Sequence, residues 1–454
     1  MLEKFFKLKE NGTDVKTEII AGVTTFMAMA YILAVNPDIL SASGMPKDAI
    51  LIATALAAFI GTMCMGLMAN YPFALAPGLG LNAYFAYTVC LGMGYSWQFA
   101  LFAVFIEGLI FIVLSVTPVR EAIFNAIPLQ LKKGVSVGIG LFVAFIGLQN
   151  GKIVVDDGAT LVTLVSFRDN FKTIGIWALL TIIGILIIAI LHIKKIKGAI
   201  LIGIFATWIL GIICELIGIY APDAEAGFFS AIPSNFASFS FASIGTTFGA
   251  CFSGAAFEKF SVLNFIVIMF AFLFVDVFDT LGTLIGCADK ADMLDKDGKL
   301  PRIRPALLAD AIATSAGAVL GTSTTTTFVE SSAGVSAGGR TGLSSVVTGL
   351  LFLVSLILSP LFISIPGFAT APALVFVGFL MIGAITGIDL KDPTEAIPAF
   401  LSFLVMPLVY SISDGICIGV ISYVVINLCT GNYKKIKPLM YILALLFILK
   451  YILL

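Results

Sequence analysis

A handful of carboxylates stand inside stretches that are otherwise apolar: Glu107, Glu215, Asp276, Asp279, Asp310, Glu330 and Asp414. An ionised Asp at the centre of a membrane helix costs about 2.5–3.5 kcal/mol, so each of them needs a partner or a task. In Phe274-Val-Asp-Val-Phe-Asp-Thr-Leu-Gly-Thr283, the spacing puts Asp276, Asp279 and Thr283 on one face of a helix. Two acids on one face cannot both stay ionised cheaply at low dielectric, so one is expected to carry a proton. Glu330 closes the run Thr322-Ser-Thr-Thr-Thr-Thr-Phe-Val-Glu-Ser-Ser332. Its β-branched and hydroxyl side chains favour an extended segment leading into a half-helix. A carboxylate in a half-buried site wants N–H donors, which a neutral heterocycle with ring NH or exocyclic NH2 groups supplies and a carboxylate-bearing substrate does not. Glu215 and Asp414 fall near segment ends and read as solvated, while Glu107 and Asp310 read as hydrogen-bonded packing residues. The one histidine, His192, lies in a basic turn, so a proton carrier must be a carboxylate.

These residues have to be held by membrane helices. Of 454 residues, 59% are hydrophobic and 12% charged, against about 45–50% and about 25% in soluble domains. With 26 basic and 27 acidic residues, a 48.1 kDa chain cannot cover a water-facing surface, and the bilayer must be its main solvent. The net charge of -1 without a basic stripe excludes a nucleic-acid partner. Scattered cysteines, with no CxxC and no HExxH, oppose a metal, haem or disulfide framework. No cofactor, no metal and no enzymatic centre are expected.

Charge-free stretches map the spans, since crossing the hydrocarbon takes about 20 apolar residues. No acid or base occurs between Asp48 and Glu107 or between Arg340 and Asp389. Spans are expected at about 19–37, 49–69, 73–90, 97–116, 134–150, 173–193, 198–220, 261–286, 304–321 and 325–340, with two between Arg340 and Asp389 and two more at about 395–412 and 415–430. That makes about fourteen. Lys and Arg cluster at alternate loops: Lys4 to Lys16, Arg120 with Lys132 and Lys133, Lys194 to Lys197, Lys290 to Arg304, and Lys434 to Lys437. The pattern predicts a multi-pass protein with both termini cytoplasmic. The charged start, MLEKFFKLKENGTD, predicts no cleavable signal, and its Leu2, Phe5, Phe6 and Leu8 suit a short interfacial helix. Residues 225–258 are expected along the outer interface, and the apolar stretch Pro438 to Leu454 as a helix lying against the others or as an extra span.

Two segments are Gly-rich and follow an Ala-rich span: Ala76-Pro-Gly-Leu-Gly-Leu-Asn-Ala83 and Glu330-Ser-Ser-Ala-Gly-Val-Ser-Ala337. At one constant offset Gly80 falls on Gly334, Asn82 on Ser336 and Ala83 on Ala337. Two seven-span halves in tandem must be inverted, and in inverted-repeat carriers a matching pair of interrupted helices marks the midplane site. Close helix packing by small residues is the competing explanation of the glycines.

The opening Glu18-Ile-Ile-Ala-Gly-Val-Thr-Thr-Phe26, the Ala76 to Asn82 segment, the Asp279-Thr-Leu-Gly-Thr283 helix and the Thr-rich run into Glu330 together resemble the AzgA-like purine permeases, the hypoxanthine and guanine branch of the nucleobase-ascorbate transporter superfamily. The resemblance covers essentially the whole chain. It implies an all-α polytopic fold of fourteen spans in a 7+7 inverted repeat, with short extended segments before two half-helices. It implies a core domain from 1–130 and 259–364, a gate domain from 131–258 and 365–437, an apolar C-terminal helix at 438–454, and a homodimer. By position, Asp279 and Glu330 would hydrogen-bond a purine, with Gly80, Asn82 and Thr283 as further substrate-binding residues. The uracil-carrying relatives have a His where Thr283 stands, which shifts proton coupling here to Asp279, Glu330 and Asp276. Arg340 would mark the cytoplasmic end of the tenth span.

The expected activity is proton-coupled import of purine nucleobases, namely hypoxanthine, guanine and also adenine, across a bacterial inner membrane. The alternatives are another nucleobase such as xanthine or uracil, and an inorganic anion carried by the same 7+7 architecture. Two acids in the pocket oppose the anion.

Overall fold

The computed structural model describes residues 2–117, 127–168, 170–223, 227–233, 240–258, 260–295 and 300–453. Arg120, Lys259, Lys296 and Lys299 lie outside the described residues, as does part of the 225–258 segment. Eleven helices among those described are long and apolar enough to cross a membrane, and Leu79–Gly92, Pro393–Leu408 and Pro438–Leu449 are shorter apolar helices.

After a short α1 (Leu2–Phe6), the first span is α2 (Val15–Met29) followed by α3 (Ile32–Ser41), interrupted at Ala30 and Tyr31. Asp14 starts α2 by accepting from the Thr17 amide at 2.9 Å. The second span, α4 (Lys47–Cys64), ends in a π turn at Met65–Ala69. Then come β1 (Leu75–Pro77), α5 (Leu79–Ala83) with its π continuation Tyr84–Gly92, and α6 (Trp97–Ser115). Next are α7 (Leu129–Asn150), strands β2 (Val154–Asp157) and β3 (Leu161–Leu164), α8 (Ile176–Ile193) and α9 (Ala199–Leu216).

The second half repeats the pattern. It runs α10 (Val262–Lys290), α11 (Ile303–Leu320), β4 (Thr325–Thr327), α12 (Ser331–Ser336), α13 (Gly342–Ser355) and α14 (Ser359–Ile363). It closes with α15 (Gly367–Ile382), α16 (Pro393–Leu408), α17 (Ile412–Cys429) and α18 (Pro438–Leu453). Helix α11 packs on α4 and α6, and α13 on α2 and α4. Separately, α7 packs on α15 and α16, α16 on α17, and α8 on α9 and α15.

Strands β1 and β4 cross antiparallel, pairing Leu75 with Thr327, Ala76 with Thr326 and Pro77 with Thr325. The Gly78 amide donates to Thr324 O and the Phe328 amide to Ala74 O, extending the ladder at both ends. Pro77 brings no N–H to satisfy, and Gly321 (φ +106) lets α11 end and the chain turn into the Thr run. In a bilayer core an unpaired amide costs several kcal/mol, so the crossing strands are what permits two helices to break there.

Three differences from the sequence reading have local causes. Thr325 follows Leu75 by 250 residues and Ser331 follows Leu79 by 252, whereas the Gly80-to-Gly334 match spans 254. The Phe328-Val-Glu330 link makes the second segment longer than the first, so a single offset cannot serve both strand and helix. Residues 154–164 form a hairpin that the span map passed over as loop. Glu215 is not simply solvated, because it accepts from Ser230 Oγ and the Ala231 amide, both at 2.6 Å. The described residues 240–258 form short 3-10 turns against α4 and α6. Helix α18 lies against α17, with Met440, Leu443, Ala444 and Phe447 buried.

Glu18 is the main polar fastening between α2 and α13. Fully buried, it accepts from the amides of Arg340 (2.8 Å), Thr341 (3.1 Å) and Ser344 (3.1 Å) and from Ser344 Oγ. A carboxylate on the unpaired amides of a helix start satisfies donors and complements the helix dipole. Glu18→Ala strands those amides at about 1–3 kcal/mol each and is expected to lower Tm in detergent by at least about 5 °C. Glu18→Gln, which keeps one acceptor, should lose less. Equal melting of wild type and Glu18→Ala would show that the fastening is not needed.

Candidate functional site

The Thr-rich run is a hub whose members reach different helices. Asn36 Nδ2 of α3 donates to Thr322 Oγ1 at 3.0 Å and to Thr54 Oγ1 of α4 at 2.7 Å. Ser323 Oγ donates to Asn82 Oδ1 of α5, and Thr324 Oγ1 donates to Glu107 Oε2 of α6 at 2.8 Å. The Thr325 backbone exchanges hydrogen bonds with Thr314 Oγ1 of α11. Thr326 Oγ1 donates to Asp279 Oδ2 of α10 at 3.2 Å. The extended backbone alternates its side chains, and hydroxyls suit both directions.

Past the hub, Glu330 occupies the N-cap position of α12, and Tyr31 Oη donates to its Oε1 at 2.6 Å. Helix α10, which carries Asp279, packs on α12, at whose start Glu330 stands. Asp279 and Glu330 are each half-buried, whereas Glu107, Asp276 and Asp310 are fully buried. Each of the two half-buried carboxylates spends lone pairs on one hydroxyl. With about four lone-pair sites apiece, both keep acceptor capacity for N–H donors of a ligand.

The remaining sequence-derived residues divide. Asp276 has a hydroxyl partner of its own: it accepts from Thr280 Oγ1 at 2.8 Å, and the same hydroxyl lies 2.9 Å from Asp310 Oδ1 of α11. Three residues along a helix turn it by about 300°, enough to face different neighbours. Thr283 is half-buried on α10, one turn beyond Asp279. Asn82 is buried, with its amide donating to Pro77 O at 3.4 Å as well as accepting from Ser323. Gly80 faces α7 and α17, where an added Cβ would lie 2.5 Å from Ile139 Cγ2 and 3.8 Å from Ile412 Cδ1. It is Gly78 that approaches the acid, an added Cβ there lying 3.3 Å from Asp279 Oδ2 and 3.1 Å from Thr326 Oγ1. Arg340 closes the end of α12, with Nη1 donating to Val335 O and Gly339 O at 2.8 Å.

Sequence reading missed Tyr31, Thr326 and Gly78. The Ala-Pro-Gly motif flags Gly78, but nothing local marks Tyr31, whose partner is 299 residues away. A separate cavity of about 540 Å³ lies among Pro128, Lys132, Asp389, Glu395, Tyr423 and Lys437. None of Asp279, Glu330, Gly80 or Asn82 lines it.

Long apolar helices arranged around two broken ones, with carboxylates at the break, define a multi-pass membrane protein of the broken-helix type. The sequence profile described as "Permease family" (Xan_ur_permease) matches residues 16–418, and the chain belongs to that family, within the nucleobase-ascorbate transporter group. A permease of Methanocaldococcus jannaschii is 49% identical over 451 residues, covering 99% of this chain and 98% of its own. The guanine/hypoxanthine permease PbuO of Bacillus subtilis is 43% identical, covering 98% and 99%. The adenine permease AdeP of Escherichia coli is 42% identical, covering 99% and 96%. Among solved structures, the transmembrane domain of the cyanobacterial bicarbonate transporter BicA superposes with a TM-score of 0.64 at 16% identity, covering 89% of this chain and 97% of that one. SLC26A9 gives 0.62 at 12%, covering 91% and 65%. At such identities the likeness is one of fold.

The glycine geometry can be tested directly. Gly80→Ala is expected to impair transport through its clash with the Ile139 Cγ2 methyl and to be restored by Ile139→Ala, which removes that methyl. Gly78→Ala, crowding Asp279 and Thr326, should not respond to Ile139→Ala. Uptake by the single and double variants, normalised to surface protein, checks both. Failure of Ile139→Ala to restore Gly80→Ala at normal surface level would assign Gly80 to the ligand instead.

Proposed function

We propose that the protein is a proton-coupled symporter importing purine nucleobases (hypoxanthine, guanine and also adenine) across the cytoplasmic membrane by alternating access. The observation that carries this reading is the placement of Asp279 and Glu330 beside the β1–β4 crossing, two acceptor groups on neighbouring helices of the second half with lone pairs to spare. A purine edge offers the N–H donors that such a pair accepts. Relatives similar along the whole chain are named for guanine/hypoxanthine and for adenine, which supports a purine cargo over an anion. Two carboxylates beside each other also repel an inorganic anion.

In this reading Asp279 and Glu330 bind the base. Asn82 and Thr283 tune its fit, and Gly80 keeps α5 close to α7 so that the site can close. One proton shared by Asp279 and Glu330 relieves their repulsion, with Asp276 in reserve on the same helix, and its release inside drives import. Eleven long helices, the two broken elements and the shorter α16 make fourteen crossings in two inverted sets of seven. Residues 1–130 and 259–364 form the moving core, and residues 131–258 and 365–437 form the gate. The Lys clusters support cytoplasmic termini, and in this reading the protein sits in the cell's inner membrane as a homodimer.

Labelled hypoxanthine supplied to cells expressing the protein is expected to accumulate, to be displaced by guanine and adenine but not by sulfate, and to stop with a protonophore. Asp279→Asn and Glu330→Gln should each reduce uptake at least about tenfold at normal surface level, since hydrogen bonds to a charged group are worth about 1.5–3 kcal/mol. Wild-type uptake and affinity in both variants would remove these residues from the site. Dependence on sodium with no response to pH would remove the proton.

A further inference from the structure

We propose that Tyr31 is a positioning residue of the carrier site, its hydroxyl fixing one oxygen of Glu330 so that the carboxylate presents its remaining lone pairs to the ligand in one orientation. The proposal rests on the reading of Glu330 as a nucleobase-binding group.

The geometry is specific. Tyr31 stands at the interruption between α2 and α3, only 1% exposed, and reaches Glu330 at 2.6 Å. A buried phenol needs a partner for its O–H, and a carboxylate is the strongest acceptor available to it.

The contact belongs to a longer seam. Helix α2 holds α12 along its length: Gly334 of α12 lies so close to Ala21 and Thr25 that an added Cβ would fall 2.7 Å from Ala21 O. Beyond the end of α12, Glu18 grips the amides of Arg340 and Thr341. The half-helix that begins at Glu330 is therefore docked on the first span at its start, its middle and its end.

A Glu side chain has three rotatable bonds, and a site built on a single Glu loses precision unless something limits them. The half-helix fixes the backbone of Glu330, and Tyr31 is the side chain that holds the carboxylate itself. One phenol proton on Oε1 leaves Oε2 for the ligand, which converts a mobile acid into an oriented acceptor.

Tyr31→Phe keeps the ring and its packing and removes only the hydroxyl. The variant is expected to reach the membrane at wild-type level and to melt within a few degrees of wild type. Its KM for hypoxanthine should rise about tenfold, with the maximal rate changed less than about threefold, because the loss is in orienting the acceptor rather than in moving the core. Its ranking of hypoxanthine, guanine and adenine should flatten. Tyr31→Leu, which removes ring and hydroxyl together, separates packing from positioning: it should lower surface expression as well as affinity. Wild-type KM and ranking in Tyr31→Phe overturn the proposal while leaving the nucleobase reading in place. If wild type itself carries no purine, the nucleobase reading falls and this inference falls with it.

Discussion

A backbone that leaves helical geometry in the middle of a bilayer must satisfy its own amides, and the rest of this structure follows from how that is done. Strands β1 and β4 solve it for each other by pairing antiparallel across the two halves of the chain. Side chains complete the accounting: the Leu75 amide donates to Thr62 Oγ1 at 2.9 Å and the Ala74 amide to Ser331 Oγ at 2.9 Å. Because the strands belong to different halves, neither broken span can form alone. The site exists only once residues some 250 positions apart have met.

The same crossing sorts the buried acids. Glu18, Glu107 and Asp310 are fully enclosed, with protein hydroxyls or amides against them. Such groups fasten helices, and removing one partner leaves a costly buried charge. Asp279 and Glu330 sit next to the crossing and remain half-buried, each held by one hydroxyl. The first group gives up its acceptor capacity to the fold, and the second keeps part of it free, as the proposed site requires.

Much of this was legible in the chain because membrane spans announce themselves by length and apolarity. The charge-free gaps locate the helices to within a few residues, and the Thr run declares its extended form through β-branching. What needs three dimensions was hidden. The acids at 276 and 279 share a helix face by spacing, yet Thr280 draws Asp276 toward Asp310 while Thr326 takes Asp279. The role of Glu18 was masked by its place in a motif read for resemblance, and that of Tyr31 by its place in an apolar span. The hairpin at 154–164 had a local signal, Val-Val-Asp-Asp-Gly before an alternating Leu-Val-Thr-Leu, that a search for long apolar runs passes over.

The central claim is that the strand crossing presents Asp279 and Glu330 to one ligand. An experimental structure with hypoxanthine bound tests it most directly. The account predicts the ring between α10 and α12, with N–H groups on Asp279 and Glu330 and with the Tyr31 hydroxyl still on Glu330. Density for the base elsewhere, for instance in the cavity between Lys132 and Glu395, with both carboxylates untouched, would contradict it.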